Sequence, residues 1–473
     1  KSIKLKINYE EIFNNKIHVY NLILDSPKIK LFNNTKDSIW NYDLIAPPST
    51  DTTDTEPTDL IILADKLILK NTEFIMWDST SALDTSGIVD FSHLHLINLN
   101  LELKADVRPG LNSFRAAIKS LGFYENHSKM LIKKFSSDLQ LDSTIISASN
   151  TEILIDKSKL KFDASLKKFN VFSKIEPKIE EADINVKLYA GNFESYLIDF
   201  FYKMPLKIGR THLINADVSG NFSNMKVNRI NVISDEQEVY LSGNLYNIGK
   251  DNFRYIVNFD ESKISENSLK TTLPESNFDG LPDFRFVTFN ELFINGTDKD
   301  VATTINLKSK IGRINGKVNL TFGVNEPFYN GNLDFSNLKV EKITKNPELL
   351  SELNGKINFD GKNFEYDKLS LKTDIELNNS KFRDIEINSY YSNLTLNQDK
   401  TLNIDSLKIL FRRNTITGNE NTSFKIFEEE NGLISVKGVL NLENIDNPDY
   451  DLDVWTESVD LNSLLDKIGR AHV

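Results

Sequence analysis

Apolar and polar residues alternate with period two along most of the chain, the pattern of strands with one buried and one wetted face. Ile3, Leu5 and Ile7 alternate with Lys4, Lys6 and Asn8, and Leu99, Leu101, Leu103, Ala105 and Val107 with Asn100, Glu102, Lys104 and Asp106. Phe253, Tyr255, Val257 and Phe259 share one phase, and shorter runs follow the same rule at Leu160/Phe162, Ile184/Val186, Val318/Leu320, Ile357/Phe359, Leu369/Leu371 and Leu452/Val454. Between Leu94/Leu96 and Ile97/Leu99 the phase slips, which predicts a β-bulge. Asn-, Asp- and Gly-rich steps such as Asn295-Gly296, Asp360-Gly361 and Asn378-Asn379 are expected to supply turns.

Helical spacing predicts short helices only at Phe193–Lys203, Pro347–Leu353 and Leu461–Lys467. Pro, Thr and Asp concentrate in 46–59, a linker between an N-terminal strand region, 1–45, and a repetitive β region, 60–467. With no βα alternation the expected class is all-β: a long twisted antiparallel sheet curled into an elongated groove. At ~14 residues per strand and turn, roughly 33 strands at ~4.8 Å give a sheet on the order of 150 Å long. Weak repetition supports this, since Tyr329-Asn330-Gly331-Asn332-Leu333, Leu353-Asn354-Gly355-Lys356-Ile357 and Leu241-Ser242-Gly243-Asn244-Leu245 share one short pattern.

The 473 residues are 40% apolar, too many for a disordered chain. A net charge of −12 without a basic block argues against nucleic acid as partner. The absence of cysteine excludes disulfides and thiolate chemistry. The longest strictly apolar run, Leu60–Ala64, is too short for a membrane helix. The chain opens Lys1-Ser2-Ile3, and its last six residues, Ile468–Val473, look like the translation of a sequencing adapter. The expectation is an internal fragment with a non-native tail at 468–473.

Catalytic motifs are missing: no GxSxG, P-loop, HExxH or EF-hand loop occurs. His93-x-His95, with Asp90 nearby, reads as a polar strand face rather than half a metal site. Glu428–Glu430 reads as a solvated turn, and Asp298 with Asp300 lacks the rest of a calcium loop. No catalytic residue, metal or cofactor is expected. What stands out is the quantity of one-faced strand. A sheet that long, with few helices to cover it, must close on itself or leave an apolar channel suited to acyl chains. Leu99, Leu101, Leu103, Phe253, Tyr255, Val257, Ile357, Phe359, Leu369 and Leu371 are the expected lining.

Several segments resemble the TamB/AsmA-like family, named for a translocation and assembly module of diderm bacterial envelopes. Residues 16–42 carry an apolar strand, then Ser26-Pro27-Lys28-Ile29-Lys30-Leu31, a turn and Trp40-Asn41. Residues 106–166, with Ile118–Phe123, resemble the next strand block, and Leu281–Phe284 through Gly316 and Tyr329 through Leu371 resemble two later ones. Leu292–Asp300 is shorter than the family's Gly-rich hairpin. The resemblance implies a taco-shaped periplasmic β-groove, anchored to the inner membrane by an N-terminal helix and meeting an outer-membrane β-barrel assembly partner through a C-terminal region. It implies transport of phospholipid in outer-membrane biogenesis, with Pro27, Trp40 and Asn41 as fold markers and no catalytic residues. The rival readings are a scaffold for assembly or secretion of proteins, which pairs incoming chains on its edges, and an extracellular solenoid that binds polysaccharide.

Overall fold

In a computed structural model, the structure describes residues 1–33, 40–41, 60–173, 177–201, 211–272, 284–322, 326–383, 385–417, 426–443 and 449–457. The predicted linker at 46–59, the helix at Leu461–Lys467 and the tail at 468–473 lie outside them. The fold is all-β, every described strand belonging to a hydrogen-bonded sheet, with only short helical turns. The chain divides into two units. The first comprises Lys1–Glu238, Ser242–Gly249 and Thr271–Glu275, and the second Val239–Leu241, Lys250–Lys270 and Ser276–Val473.

The first unit contains β1 (Ser2–Asn8), β2 (Lys16–Asp25), β3 (Lys28–Asn33), β4 (Ile61–Asp78), β5 (His95–Arg108) and β6 (Ser113–Glu125). It continues with β7 (Leu131–Leu141), β8 (Ile145–Ile155), β9 (Ser158–Lys167), β10 (Asp183–Phe193), β11 (Thr211–Asn221) and β12 (Asn224–Ile233). From β4 to β12 each strand pairs antiparallel with the next. The expected antiparallel sheet is nevertheless mixed, because β2 and β3 both run parallel to β4. Ser26, in the left-handed region at φ 53°, and Pro27 break one extended segment into these two strands, which lie end to end along the 18-residue β4. Period-two patterning carries no information on strand direction, so the parallel pairs were invisible in the sequence. The marker Asn41 clamps β3: its amide accepts from the Phe32 N–H at 3.1 Å and donates to the Lys30 carbonyl at 2.8 Å, while Trp40 bridges Asn33.

Strand β13 (Gln237–Tyr246) is divided between the units. The second unit contains β14 (Arg254–Asn258), β15 (Ser262–Ser265), β16 (Phe286–Thr297), β17 (Asp300–Ser309), β18 (Gly312–Thr321) and β19 (Phe328–Leu338). It continues with β20 (Ser351–Lys362), β21 (Ser370–Phe382), β22 (Ile385–Leu396), β23 (Thr401–Thr417), β24 (Ile426–Asn441) and β25 (Asp449–Glu457). β14 and β15 both pair with β16, and from β16 onward each strand pairs antiparallel with its successor.

Two helix expectations shrink to short 3₁₀ segments of six and three residues. Phe193 closes β10 and only Ser195–Phe200 is helical, while residues 202 and 203 are not described. Pro347–Leu349 forms one turn, where the Asn346 side chain accepts from the Glu348 N–H at 2.9 Å, and the chain is back in strand by Ser351. Spacing over one or two turns cannot separate such a turn from an α-helix, which needs more residues to repay its nucleation. Glu428–Glu430 is not a turn but part of β24, paired to Thr415–Arg413.

The phase slip is a bulge, with Asn98 at φ 54° at its centre. It is one of a series. Register shifts interrupt β4 to β8 in turn, at Asn71 (φ 48°), at Asn98, between Ile118 and Leu121, between Ile132 and Lys134, and at Asn150 (φ 52°). Asparagine tolerates the left-handed backbone a bulge requires. At each shift the apolar residues change parity, from Leu69 to Thr72, Leu96 to Leu99, Ile118 to Leu121, Ile132 to Phe135 and Ala148 to Thr151, so the same face stays apolar except where Thr72 and Thr151 intrude.

Candidate functional site

Cross-strand partners share a face of the sheet, so the ladders can be followed from strand to strand. In the first unit one such row runs Ile3, Leu24, Leu69, Leu101, Leu121, Phe135, Ile153, Leu160, Ala190, Ile214 and Val232, crossing from β1 to β12. A second row beside it contains Leu5, Leu22, Leu67, Leu103 and Ile118, is interrupted by the hydrogen-bonded Ser137 and Thr151, and resumes with Phe162, Leu188, Ala216 and Ile230. Eleven strands at ~4.8 Å make each row on the order of 50 Å long. The second unit repeats the arrangement from β16 to β25 as Leu292, Ile305, Gly316, Leu333, Ile357, Ile375, Ser392, Leu407, Val436 and Val454. Its reverse face is polar, with Asn306, Asn315, Asp334, Lys356 and Glu376 in register and Lys356 paired to Glu376 at 2.9 Å.

These apolar faces are incompletely covered. Leu101, Leu103, Ile118, Leu188, Leu333, Ile357 and Phe359 are all half-buried, and Leu333, Ile357 and Phe359 alternate with exposed polar residues of their strands. Among the described residues the one cluster of fully buried apolar side chains lies in the first unit: Val89, Met130, Ile132, Ile155, Ala190, Phe193 and Leu197.

The sequence-predicted lining falls largely on this face. Leu101 and Leu103 lie in the two rows above, and Leu99 opposes Thr72 and is buried. Tyr255 opposes Gly296 and Val257 opposes Ile294, while Ile357, Phe359 and Leu371 oppose Leu333, Gly331 and Gly361. Phe253 lies just before β14, its ring 5.8 Å from that of Tyr255, and Leu369 just before β21.

Register gives a meaning to one copy of the repeated Gly pattern, Tyr329-Asn330-Gly331, and places Asp360-Gly361, expected as a turn, inside β20. Tyr329 faces Gly361 and Phe359 faces Gly331, so Tyr-Asn-Gly and Phe-Asp-Gly interlock across β19 and β20. A Cβ at Gly331 would fall 2.7 Å from the Phe359 ring, and one at Gly296 would fall 2.9 Å from the Tyr255 hydroxyl. The rings thus lie over the glycines and pave the apolar face. Tyr329 stacks further on Phe364, with centroids 5.0 Å apart.

His93 does not sit on a polar strand face. It is 2% exposed in the turn before β5, with Nδ1 2.7 Å from the Asp90 carboxylate and Nε2 2.8 Å from the Asp78 carbonyl oxygen, and its ring packs edge-on to Trp77. Alternation misplaced it because strand geometry begins only at His95. His95 lies 3.3 Å from Glu73, and among the described residues no three potential ligands converge on a metal position. Glu125 is also buried. Burial raises its pKa, but N–H donors from His95, His127 and Ser128 and the Ser128 hydroxyl hold the carboxyl below its ordinary range. Both groups are engaged in holding loops.

A scan against protein-family models and searches of curated proteins and solved structures find no match to this chain.

Proposed function

We propose that the chain is a non-enzymatic lipid conduit of the TamB/AsmA-like kind, whose apolar sheet face carries phospholipid acyl chains in the periplasm between the inner and outer membranes. The observation that supports this reading is the apolar row that crosses strand after strand, its residues half-buried from Leu24 on β2 to Leu160 on β9. A 16-carbon chain gains on the order of 12 kcal/mol by leaving water, at ~0.8 kcal/mol per CH₂. A continuous apolar surface lets it slide without returning to water, while the polar reverse face keeps the sheet hydrated. Curling of the sheet about the chains would complete the groove.

Lipid extraction and native mass spectrometry of the purified protein test the proposal. Co-purifying phospholipid at stoichiometric levels is the expected result. Lipid-free protein that also fails to take up phospholipid from vesicles would overturn it.

The scaffold reading rests on a different feature. Strand β1 pairs with β2 alone among the described strands, and its Ile3 and Leu5 are 75% and 57% exposed. Such an edge can accept another strand. Crosslinks from incoming chains to the β1 backbone, with none to face residues such as Leu101, would favour it.

A further inference from the structure

The buried cluster of the first unit covers one stretch of the face to which acyl chains are assigned above. Its covering residues come from the loop 79–94, through Val89 and Leu94, and from the 3₁₀ turn Ser195–Phe200, through Leu197, Ile198 and Phe200. Beneath them lie Phe135, Ile153, Leu160, Ala190 and Ile214, consecutive members of the row that begins at Ile3. The neighbouring row, with Ile118, Phe162, Leu188 and Ala216, contributes nothing to the cluster. One row is therefore occupied by the protein's own side chains, whereas in the next, beyond the buried and hydrogen-bonded Ser137 and Thr151, Phe162, Leu188 and Ala216 stay half-buried.

The loop is built as a unit. Asp90 accepts from the Asp84 and Ser92 N–H groups at 2.9 Å each, and Asp84 accepts from the Ser86 N–H at 2.7 Å. His93 ties this knot to the end of β4 through the Asp78 carbonyl. At the far side a backbone hydrogen bond joins the loop to the 3₁₀ turn, from the Val89 N–H to the Phe200 carbonyl at 2.7 Å, beside the inserted Val89 side chain. Internal order with a small contact at the tip is the construction of a flap that moves as one body. Its outer side carries Phe91 and Leu83, 63% and 44% exposed.

We propose that this flap and the 3₁₀ turn form a displaceable plug, an internal stand-in for an acyl chain that shuts one row of the face until lipid replaces it. The inference rests on the lipid-conduit reading and adds its regulation. Lipid and plug compete for the same apolar side chains, so each weakens the other's hold.

The chain has no cysteine, so a Val89→Cys, Phe200→Cys pair gives a single reversible lock. A photoreactive phenylalanine analogue at Leu160 reports the plugged row, and one at Leu188 the neighbouring row, with phosphatidylethanolamine/phosphatidylglycerol vesicles as the lipid source. Oxidation should abolish lipid labelling at Leu160, leave Leu188 unchanged, and be reversed by reductant. If the disulfide does not form, Val89→Asp serves instead. For a plug open about 10% of the time, its release should raise labelling at Leu160 about tenfold. Labelling at Leu160 that ignores both the lock and Val89→Asp overturns the plug while the conduit stands. No labelling at either position, in any form, removes both.

Discussion

The interlocked glycines of β19 and β20 give the sharpest quantitative test of the sheet. A methyl group added by Gly361→Ala would sit 2.6 Å from the Tyr329 hydroxyl and closer still to its ring carbons, against ~3.5–4.0 Å for an ordinary contact. The ring must therefore move by about 1 Å or more. Tyr329 stacks on Phe364 at 5.0 Å and leans on Phe359 at 6.2 Å, so displacement weakens two aromatic contacts worth ~0.5–1.5 kcal/mol each. Gly361→Ala alone should destabilise the second unit by about 1–3 kcal/mol. With Tyr329→Ala already present nothing is left to strike, and the same change should gain ~0.5 kcal/mol, because alanine loses less backbone entropy than glycine in a strand. The two substitutions should couple by about 2 kcal/mol. Urea denaturation followed by amide exchange in β19 and β20 measures all four forms. Equal costs for Gly361→Ala in both backgrounds would refute the packing of ring over glycine.

Three further outcomes follow from the geometry. Leu101→Glu should weaken phospholipid uptake by roughly 30-fold, about 2 kcal/mol for two to three lost CH₂ contacts, while Lys104→Glu on the other face leaves it unchanged; a fluorescent phospholipid titration checks both, and equal effects would sink the assigned face. His93→Ala removes one hydrogen-bond partner from the buried Asp90 carboxylate, which keeps its Asp84 and Ser92 N–H donors, a change that costs about 1–3 kcal/mol, and Trp77 fluorescence should report loosening of the 79–94 loop at lower urea. Acid should open three turns of one design, in which the Thr80, Thr144 and Thr401 hydroxyls and N–H groups hold the Asp78, Asp142 and Asp399 carboxyls below their usual range. A carboxyl with a lowered folded pKa stabilises above the ordinary carboxylate range and loses that contribution as pH falls. Amide protection factors at these turns, with the intrinsic pH dependence of exchange divided out, should fall below about pH 4 and stay flat from pH 6 to 8, and unchanged protection in acid would contradict the assignment.

The strands were legible because a half-buried strand writes its two faces directly into alternate residues, as Leu99, Leu101 and Leu103 do. The bulge was legible for the same reason, since an extra residue shifts the parity between Leu96 and Leu99. Strand direction was not, because alternation is identical for a parallel and an antiparallel neighbour, and so β2 and β3 beside β4 came only from the structure. The surface role of His93 failed because its fate depends on Asp78, which lies 15 residues away and meets it only once β4 and β5 have paired. Tyr329-Asn330-Gly331 was visible as one copy of a recurring pattern and Asp360-Gly361 reads as a turn in the sequence, but Gly361 lies inside β20, and only register reveals that each ring covers the other strand's glycine. Of the lining, the apolar phase was readable, whereas the plug over Leu160 and Ala190 was not, because residues 79–94 carry no periodicity.

The chain of bulges from β4 to β8 also constrains how this sequence can change. Losing Asn98 alone would turn every residue on one side of it to the opposite face, sending Leu94 and Leu96, or else Leu99, Leu101 and Leu103, into water while their charged neighbours turned inward. Single-residue insertions and deletions within these strands should therefore be lethal to the fold. Whole hairpins, which begin and end in the same parity, can be gained or lost with the apolar rows intact. Length variation among proteins built this way is expected to come in steps of two strands, so that the reach of the sheet evolves by counting hairpins.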